Sequence, residues 1–211
     1  MDDARSIFSG IHRANAWGDR QSASGPGSNL RQTEILSREL PAALARLGVK
    51  SLADAPCGDM NWMRRISYDF TRYHGIDIAP EVVAGLKSQI WSDIYTFSCG
   101  DITSDPLPKV DAILCRDALV HLPYRMIHAF IGNLKSSEIP YLLTTTFPEH
   151  GPNQDILSGE WRPLNLALAP FHFPAPLALL NEEYHDGGGA FADKSLALWN
   201  LADIVKAPEK S

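Results

Sequence analysis

The stretch KSLADAPCGDMNWM, residues 50–63, contains a short apolar run that ends at a carboxylate and leads directly into a loop. The run KSLADA (50–55) predicts a buried strand with Asp54 at its carboxyl end. Gly58 then allows the backbone to approach a ligand closely, and Asp59 can cap a following helix. In a parallel sheet, ligands bind beyond the carboxyl ends of the strands, so this stretch predicts a ligand-binding loop.

Apolar runs continue to alternate with helical patterns along the chain. Strands are predicted at 73–77, 94–99, 110–115 and 141–147, and two more at 177–184 and 194–201 flank a turn-rich segment. Helices are predicted from residue 28 or 29 to residue 47, and at 60–67, 80–91 and 123–135. Strands separated by helices imply right-handed crossovers. The expected fold is therefore a doubly wound, Rossmann-like α/β sheet, mostly parallel, with helices on both faces and a C-terminal antiparallel hairpin.

The length of the chain favours a single domain. With 211 residues, 45% of them hydrophobic, the chain can bury one sizeable core but not two ordinary ones. Within one domain over 1–211, we expect a flexible N-terminal arm (1–28), a ligand-binding core (29–147), a proline-rich insertion on the substrate side (148–176) and a closing hairpin (177–201).

Charge and composition disfavour several classes of partner. The net charge of -6 and the scattered Lys and Arg residues argue against nucleic acid. The start MDDARS lacks the basic end and apolar run of a signal peptide, and no apolar stretch approaches the roughly 18 residues of a membrane span. The three cysteines lie too far apart for a zinc site or a disulfide framework, so no metal is expected. These features predict a soluble cytoplasmic protein, of an oligomeric state that the sequence leaves open.

The acidic residues of the first loop indicate the kind of ligand. A dinucleotide-binding dehydrogenase needs a GxGxxG loop, with bare backbone N–H groups for a pyrophosphate. This loop has one glycine, and Asp54 and Asp59 would repel a pyrophosphate. The same carboxylates suit a ligand that carries an ammonium and a sulfonium, such as S-adenosylmethionine. The alternative is a tight turn and a capped helix with no ligand.

Two further acids follow the next two predicted strands. Asp77, nineteen residues after Gly58, can accept hydrogen bonds from both hydroxyls of an adenosine ribose, although it can equally cap the helix that begins near residue 80. Asp101 can accept from the adenine amine while Ile102 packs on the ring, whereas an isolated Asp in such a turn more often serves turn chemistry. Acids at three successive strand ends together indicate an adenosine ligand.

The fourth loop, LCRDALVHLP (114–123), is expected at the reactive end of the ligand. Asp117 and His121 are candidate general acids or bases, and on one helical turn they would share a face. Arg116 could orient an acidic group. Methyl transfer is an in-line displacement that chiefly needs alignment, so a base is optional, and a lone histidine near a helix is more often structural.

In order and spacing, DAPCGDMNWM, GIDIAP, CGDIT and CRDALVHLP resemble the class I S-adenosylmethionine-dependent methyltransferases, over residues 48–147. The resemblance implies a seven-stranded sheet with a reversed last strand, and an enzyme that uses S-adenosylmethionine. It implies that loop 54–58 holds the methionine portion of the donor. It also places the ribose at Asp77, the adenine at Asp101 and Ile102, and the amino acid end near the carbonyl of Cys115 or Arg116.

The first motif departs from the DxGxGxG pattern of the family, because it has Ala55, Pro56 and Cys57 before its glycine. The NWM and RDALVH segments look like a bacterial subgroup of these enzymes. The segment AWGDRQSASGPGS (16–28) resembles the arm that covers the donor in many members, with ordinary packing of Trp17 as the alternative. The complete set of expected donor residues is Trp17, Gly25, Ser28, Asp54, Ala55, Pro56, Cys57, Gly58, Asp59, Asp77, Ile78, Asp101, Ile102, Cys115 and Arg116.

The methyl acceptor is expected between the N-terminal arm, the fourth loop and the insertion. Aromatic, amide and imidazole side chains in these parts suit a polar small molecule or a glycan, and they do not exclude a protein side chain. They are Trp17, His121, Tyr124, His150, Asn153, Trp161, Arg162, Asn165 and His172. Two alternative functions share much of this pattern: a nicotinamide-dependent oxidoreductase and a non-catalytic module that binds an adenosine ligand.

Overall fold

The structure, a computed structural model, describes residues 4–184 and 187–206. One sheet contains β1 (Ser51–Asp54), β2 (Arg72–Asp77), β3 (Tyr95–Cys99), β4 (Ala112–Cys115), β5 (Tyr141–Thr146), β6 (Ala178–Asn181) and β7 (Ser195–Asn200). Around it lie α1 (Ala4–Ala14), α2 (Glu34–Arg46), α3 (Pro80–Gln89), α4 (Tyr124–Ser137) and α5 (Leu201–Lys206). Residues 1–3 of the expected arm and 185–186 of the expected hairpin lie outside the described residues.

The strands follow the order β3-β2-β1-β4-β5-β7-β6. Strands β1 to β5 pair in parallel, and β7 runs antiparallel to both β5 and β6. After β3 at one edge, the chain returns to the middle of the sheet and places β4 beside β1. This reversal of strand order is the topological switch point where open α/β sheets bind their ligands. The predicted doubly wound sheet with its antiparallel hairpin is confirmed.

Both faces of the sheet are covered because its central strands are apolar on both sides. Leu52 and Leu114 point to a core cluster shared with α2 and α3. Ala53, which follows Leu52, and Ile113, which precedes Leu114, point to the opposite face and to a second cluster shared with α1, α4 and α5. Each large apolar side chain buried in these clusters contributes roughly 1.5–3 kcal/mol. The two clusters therefore fix the register that brings the strand ends together.

Helix α2 is confirmed as a helix but begins later than predicted. Leu36, Leu40 and Leu44 are fully buried, and Pro41 lies inside the helix without ending it. The Asn29 side chain accepts a hydrogen bond from the backbone N–H of Gln32 at 2.9 Å. This local bond holds the preceding residues in a turn, which competes with helix formation.

The helix predicted at 60–67 is reduced to a short 3-10 turn, Met63–Arg65. Met60 has a φ of 55°, a left-handed conformation that an α-helix does not contain. Met60, Trp62 and Met63 are all buried, so packing onto the core holds the backbone in this irregular path.

The N-terminal arm was expected to lack regular structure, yet residues Ala4–Ala14 form helix α1. Its apolar residues Ala4, Ile7, Phe8 and Ile11 recur at helical spacing, and the glycine-rich composition further along the arm outweighed this signal. Ala4 is buried and Phe8 packs against the core. No helix in residues 4–184 and 187–206 combines the length and apolar character needed to cross a bilayer.

Candidate active site

A cavity of about 1070 Å³, its open mouth included, lies at the carboxyl ends of β1, β2 and β4. The predicted residues that line it are Trp17, Ser28, Asp54, Pro56, Cys57, Gly58, Asp77, Ile78, Asp101, Ile102, Arg116, Asp117 and His121. The structure therefore brings the four predicted loops to one site.

Four residues expected at the donor do not line this cavity: Gly25, Ala55, Asp59 and Cys115. Ala55 and Cys115 are fully buried in the sheet. The backbone N–H of Ala55 donates to the Leu114 carbonyl at 2.8 Å, and the Cys115 carbonyl accepts from the Thr144 hydroxyl at 2.7 Å. That carbonyl, expected at the amino acid end of the donor, is thus held by a neighbouring strand.

Asp54 is a buried carboxyl group at the end of β1. The Tyr73 hydroxyl donates a hydrogen bond to its Oδ2 atom. The pKa of Asp54 is raised to about 7, chiefly by burial and also by nearby Asp77, while the Tyr73 hydrogen bond and Arg116 oppose the rise. A cation that entered the cavity beside Asp54 would favour the ionised form of this group.

Asp77, at the end of β2, organises the loop around it. Its Oδ2 accepts from the backbone N–H of Gly58 at 3.0 Å, and its Oδ1 accepts from that of Ala79 at 2.9 Å. Burial raises the pKa of Asp77, and these two hydrogen bonds oppose the rise. The capping role is thus present, but a carboxylate has about four lone-pair positions, so two remain to accept from ribose hydroxyls.

Asp101 follows β3 and has the turn role considered for it. Its Oδ1 accepts from the Thr103 backbone N–H at 2.8 Å and from the Thr103 hydroxyl at 2.7 Å, which is turn chemistry. Asp101, Ile102 and Thr103 also line the cavity. The remaining lone-pair positions of the carboxylate and the apolar side chain of Ile102 therefore face the same space.

The loop after β4 contributes Arg116 and Asp117 to a buried cluster of four charged residues, which Glu182 and Lys194 of the C-terminal hairpin complete. Arg116 donates through Nε to Glu182 Oε1 at 3.1 Å, and its Nη1 lies 3.2 Å from Asp117 Oδ2. Lys194 Nζ lies 2.7 Å from Asp117 Oδ2 and 3.3 Å from Glu182 Oε2. We call these four residues the ion cluster. Two positive and two negative charges balance, so each buried charge has a partner.

The ion cluster affects the pKa of Asp117, which was predicted as a general acid or base. Burial alone would raise the pKa of Asp117, but Arg116 and Lys194 outweigh it and hold this pKa well below its usual range. A carboxylate that stays ionised and paired is a poor general acid or base. The expected shared helical face is absent too, because Asp117 has a φ of 52° and precedes the 3-10 turn Leu119–His121.

His121 lines the cavity, and its hydrogen bonding defines its tautomer. Its Nδ1 lies 2.9 Å from the Glu160 carbonyl oxygen, which can only accept, so Nδ1 carries the proton. Burial lowers the pKa of His121, with the Glu160 carbonyl opposing the shift. The ring stacks on Trp17, with 4.7 Å between centroids. Nε2 of the neutral ring therefore carries a lone pair, and the ring lines the cavity.

Asp59 holds the N-terminal arm rather than lining the cavity. Its Oδ2 accepts from the Ala23 backbone N–H at 3.0 Å, and its Oδ1 accepts from the Ser22 hydroxyl at 3.0 Å. The Ser24 hydroxyl accepts from the Asp59 backbone N–H at 3.0 Å. Gly58 has a φ of 51°, and a side chain there would collide with the Ser24 hydroxyl.

The arm covers one side of the cavity. Phe8 and His12 of α1 and Trp17, Ala23, Ser24 and Ser28 beyond it all contribute to the lining. Gly25, with a φ of 91°, packs against Trp17 instead. At Gly27, any side chain would collide with Asp117 Oδ2, so glycine permits the arm to approach the ion cluster.

Several residues expected at the acceptor hold the insertion together instead. Arg162 donates to the carbonyls of Leu119 and Leu122, both at 2.8 Å. Asn153 and Asn165 donate to backbone carbonyls within the insertion. Arg162 thus fixes the insertion against the 3-10 turn that carries His121, and the two asparagines hold the insertion together.

Aromatic side chains cluster beside the insertion. Trp161 packs edge-on against Phe191, with 4.8 Å between ring centroids, and His150 stacks on Phe191, with 5.5 Å between ring centroids. Trp161 adjoins Glu160, the residue whose carbonyl binds His121. Five residues at or beside the site were not predicted from the sequence, because they belong to elements far from the four loops along the chain. They are Phe8, His12, Glu182, Phe191 and Lys194. For Phe8 and His12, the helical spacing of the apolar residues in α1 was the available signal.

Comparisons with known proteins agree with this description. A family model described as a methyltransferase domain matches residues 53–135. A search of curated protein sequences finds no significant match. Human N-acetylserotonin methyltransferase, solved in complex with S-adenosylmethionine, is 15% identical with a TM-score of 0.60, over 92% of this chain and 58% of that one. The chain thus spans less than two thirds of that enzyme.

A second similar structure matches over nearly its whole length. Magnesium protoporphyrin IX methyltransferase from Synechocystis PCC 6803, solved with bound S-adenosylmethionine, is 14% identical with a TM-score of 0.59, over 94% of this chain and 97% of that one. Identities this low show a shared fold. With the family match, they confirm the resemblance to class I methyltransferases that the strand-end motifs indicated.

Proposed function

We propose that this chain, which has the class I methyltransferase fold and a methyltransferase domain over 53–135, is an S-adenosylmethionine-dependent methyltransferase. The observation that carries the proposal is the cavity at the switch point, which Asp54, Asp77 and Asp101 line from three successive strand ends. Carboxylates at these positions suit a ligand with an ammonium, two ribose hydroxyls and an adenine amine. They are unsuited to the pyrophosphate of a dinucleotide.

The donor lies along the strand ends in this proposal. The methionine portion contacts loop 54–58, the ribose hydroxyls donate to Asp77, and the adenine lies between Asp101 and Ile102. Arg116 closes the amino acid end, although its guanidinium also pairs with Glu182 and Asp117 inside the ion cluster. We also propose that the described residues form a single methyltransferase domain.

Donor bound in this way supplies an activated methyl group on a sulfonium centre. The contribution of the protein is to align the acceptor atom, the methyl carbon and the sulfur, and to exclude water. His121 Nε2 accepts the proton that an acceptor hydroxyl or amine loses as the new bond to the methyl carbon forms. The hydrogen bond from Nδ1 to the Glu160 carbonyl holds the ring in the tautomer that this step requires.

A polar small molecule or a glycan is the acceptor that best suits the surroundings of His121. Trp17 stacks on His121 at the cavity, and the exposed ring of Trp161 lies beside the segment that binds His121. Aromatic faces with adjacent imidazoles accept flat or hydroxylated small ligands. The two similar structures described above are, by their names, methyltransferases of N-acetylserotonin and of magnesium protoporphyrin IX.

Isothermal titration with S-adenosylmethionine, S-adenosylhomocysteine and NAD in parallel tests the proposal. We expect micromolar binding of the first two and none of NAD. Asp77→Asn, which keeps the size of the side chain, should weaken donor binding at least about tenfold because the ribose loses a charged acceptor. Asp93→Asn, at an exposed carboxylate, is the matched control. Binding of NAD alone, or unchanged affinity in folded Asp77→Asn, contradicts the proposal.

A further inference from the structure

His12 contains a buried polar atom that has no partner in the part of the chain that the structure describes. Its Nδ1 is shielded from solvent and forms no hydrogen bond there. Leaving such an atom unpaired destabilises the folded state, so buried ring nitrogens are normally paired. Because His12 also lines the cavity, a ligand bound there is a candidate partner for its imidazole.

The position of His12 defines which part of a ligand it meets. His12 lies in the last turn of α1 and lines the cavity together with Asp77, Ile78 and Ala79. It is close enough to Asp77 for its charge to lower the pKa of that carboxyl group, against the larger effect of burial. Asp77 is the residue proposed to accept from the ribose hydroxyls. His12, which belongs to the arm, thus lines the cavity near the proposed ribose position.

His12 also separates this cavity from a second, more polar cleft. That cleft lies between the arm and α3 and is lined by His12, Asp59, Arg64 and Glu81, among others. Glu81 accepts a long hydrogen bond from the Ser9 hydroxyl at 3.4 Å, which joins α1 to α3 beside this cleft.

We propose that His12 is a donor-recognition residue, whose imidazole hydrogen-bonds to a ribose hydroxyl of the methyl donor. This inference rests on the proposed function, because it takes S-adenosylmethionine or its product as the ligand. A ribose hydroxyl both donates and accepts, so it can pair with an imidazole nitrogen that donates or with one that accepts. The arm then recognises the donor directly, in addition to covering it.

The test compares the His12→Ala and His12→Gln variants with the matched control Arg13→Ala. Arg13 is the next residue of the same helix, and its side chain is largely exposed. Titrations use S-adenosylhomocysteine and its 2′-deoxy and 3′-deoxy analogues, with thermal unfolding to check the fold of each variant. We expect His12→Ala to weaken S-adenosylhomocysteine binding about fivefold, as the loss of one neutral hydrogen bond predicts.

The deoxy analogues separate a direct contact from a structural role. A direct contact predicts that His12→Ala loses much of the wild-type discrimination against one of the two analogues, that His12→Gln restores part of it, and that Arg13→Ala changes nothing beyond twofold. Equal weakening of all three ligands, or affinities within twofold of wild type, overturns the inference while the proposed function stands. Failure of the wild-type protein to bind any of the three overturns both.

Discussion

At the scale of single residues, Asp54 couples the binding of a cationic ligand to pH. Burial raises the pKa of this carboxyl group to about 7, so near neutral pH it is partly protonated. Because the pKa of Asp54 is higher in the folded state than in the unfolded state, protonated Asp54 contributes to the free energy of unfolding. This contribution is fully present at a pH below the ordinary pKa of an aspartate, and it is lost as the pH rises through about 7. The empty cavity is therefore favoured by protonation of Asp54, whereas a bound sulfonium and ammonium favour its ionisation.

We predict that S-adenosylmethionine binds up to about tenfold more weakly at pH 6 than at pH 8, and that binding near pH 7 releases a proton. Titration calorimetry in buffers of different ionisation enthalpy measures both quantities. Asp54→Asn should remove most of the proton release. A flat pH profile in the wild-type protein would show that Asp54 does not face the charged part of the donor.

His121 is the residue whose replacement should separate chemistry from binding. We predict that His121→Gln lowers turnover by at least about a hundredfold, since a general base contributes on the order of 10² to 10⁴, and changes donor affinity less than twofold. Turnover of a hydroxylated acceptor, found by screening, and calorimetric donor binding are the two measurements. His128→Gln, at an exposed histidine on α4, is the control. Equal loss of turnover and donor affinity would contradict the assignment.

The residues at the strand ends were predictable because a parallel sheet places them at one edge wherever its strands end. Asp54, Asp77 and Asp101 needed only the strand boundaries to be recognised. Asp117 was recognised as a candidate acid or base, but its place in the ion cluster was not, because its partner Lys194 lies 77 residues further along the chain. Charge pairing across such a separation leaves no local pattern in a sequence.

At the scale of elements, Asp59 connects the loop after β1 to the N-terminal arm. Its carboxylate accepts hydrogen bonds from Ser22 and Ala23, next to the arm residues that line the cavity. We predict that Asp59→Ala accelerates amide hydrogen exchange at residues 22–25 and weakens donor binding about three- to tenfold, with little change in Tm. Asp69→Ala, at an exposed carboxylate, is the control. Unchanged exchange in the arm would show that Asp59 does not hold it.

The ion cluster joins the hairpin of β6 and β7 to the loop after β4. Lys194 is 6% exposed at its side chain, and its removal would leave Asp117 and Glu182 with a single cation. Removing one partner of a buried ion pair lowers the free energy of unfolding by about 3–5 kcal/mol. We predict that Lys194→Met lowers Tm by roughly 6–20 °C, at about 2–4 °C per kcal/mol.

Lys109→Met is the matched control for this change, because Lys109 pairs with Glu138 at 3.2 Å where both side chains are exposed. Removal of such a surface pair costs at most about 1 kcal/mol. Thermal unfolding of the three proteins compares the two lysines directly. Similar Tm values for both variants would mean that the cluster contributes no more than a surface ion pair.

The elements themselves were predictable to different degrees. Strand and helix positions in the sheet followed from apolar runs whose burial fixes them, so most boundaries fell within about two residues. Helix α1 was missed because a short helical face preceded a segment rich in glycine and serine. The irregular path at Met60 could not be predicted, since a positive φ at a non-glycine residue depends on the packing of its neighbours.

At the scale of the whole molecule, the cavity joins parts that are distant in the chain. Its lining comes from the arm at residues 8–28 and from the sheet loops between residues 54 and 126. The β6 edge strand takes no part in it. A donor bound between the arm and the sheet would add contacts that exist only in the folded state, so ligand and fold should stabilise each other.

We therefore predict that S-adenosylhomocysteine at about 100 times its Kd stabilises the fold by about 2.7 kcal/mol and raises Tm by roughly 5–11 °C, with no shift from NAD. Hydrogen exchange should slow both in the arm and in the loops after β1, β2 and β4, but not in β6 (Ala178–Asn181). Protection confined to the sheet loops would mean that the arm covers the donor without binding it. Protection of arm and loops together requires the donor to contact both, because a ligand stabilises only those segments whose opening would release it.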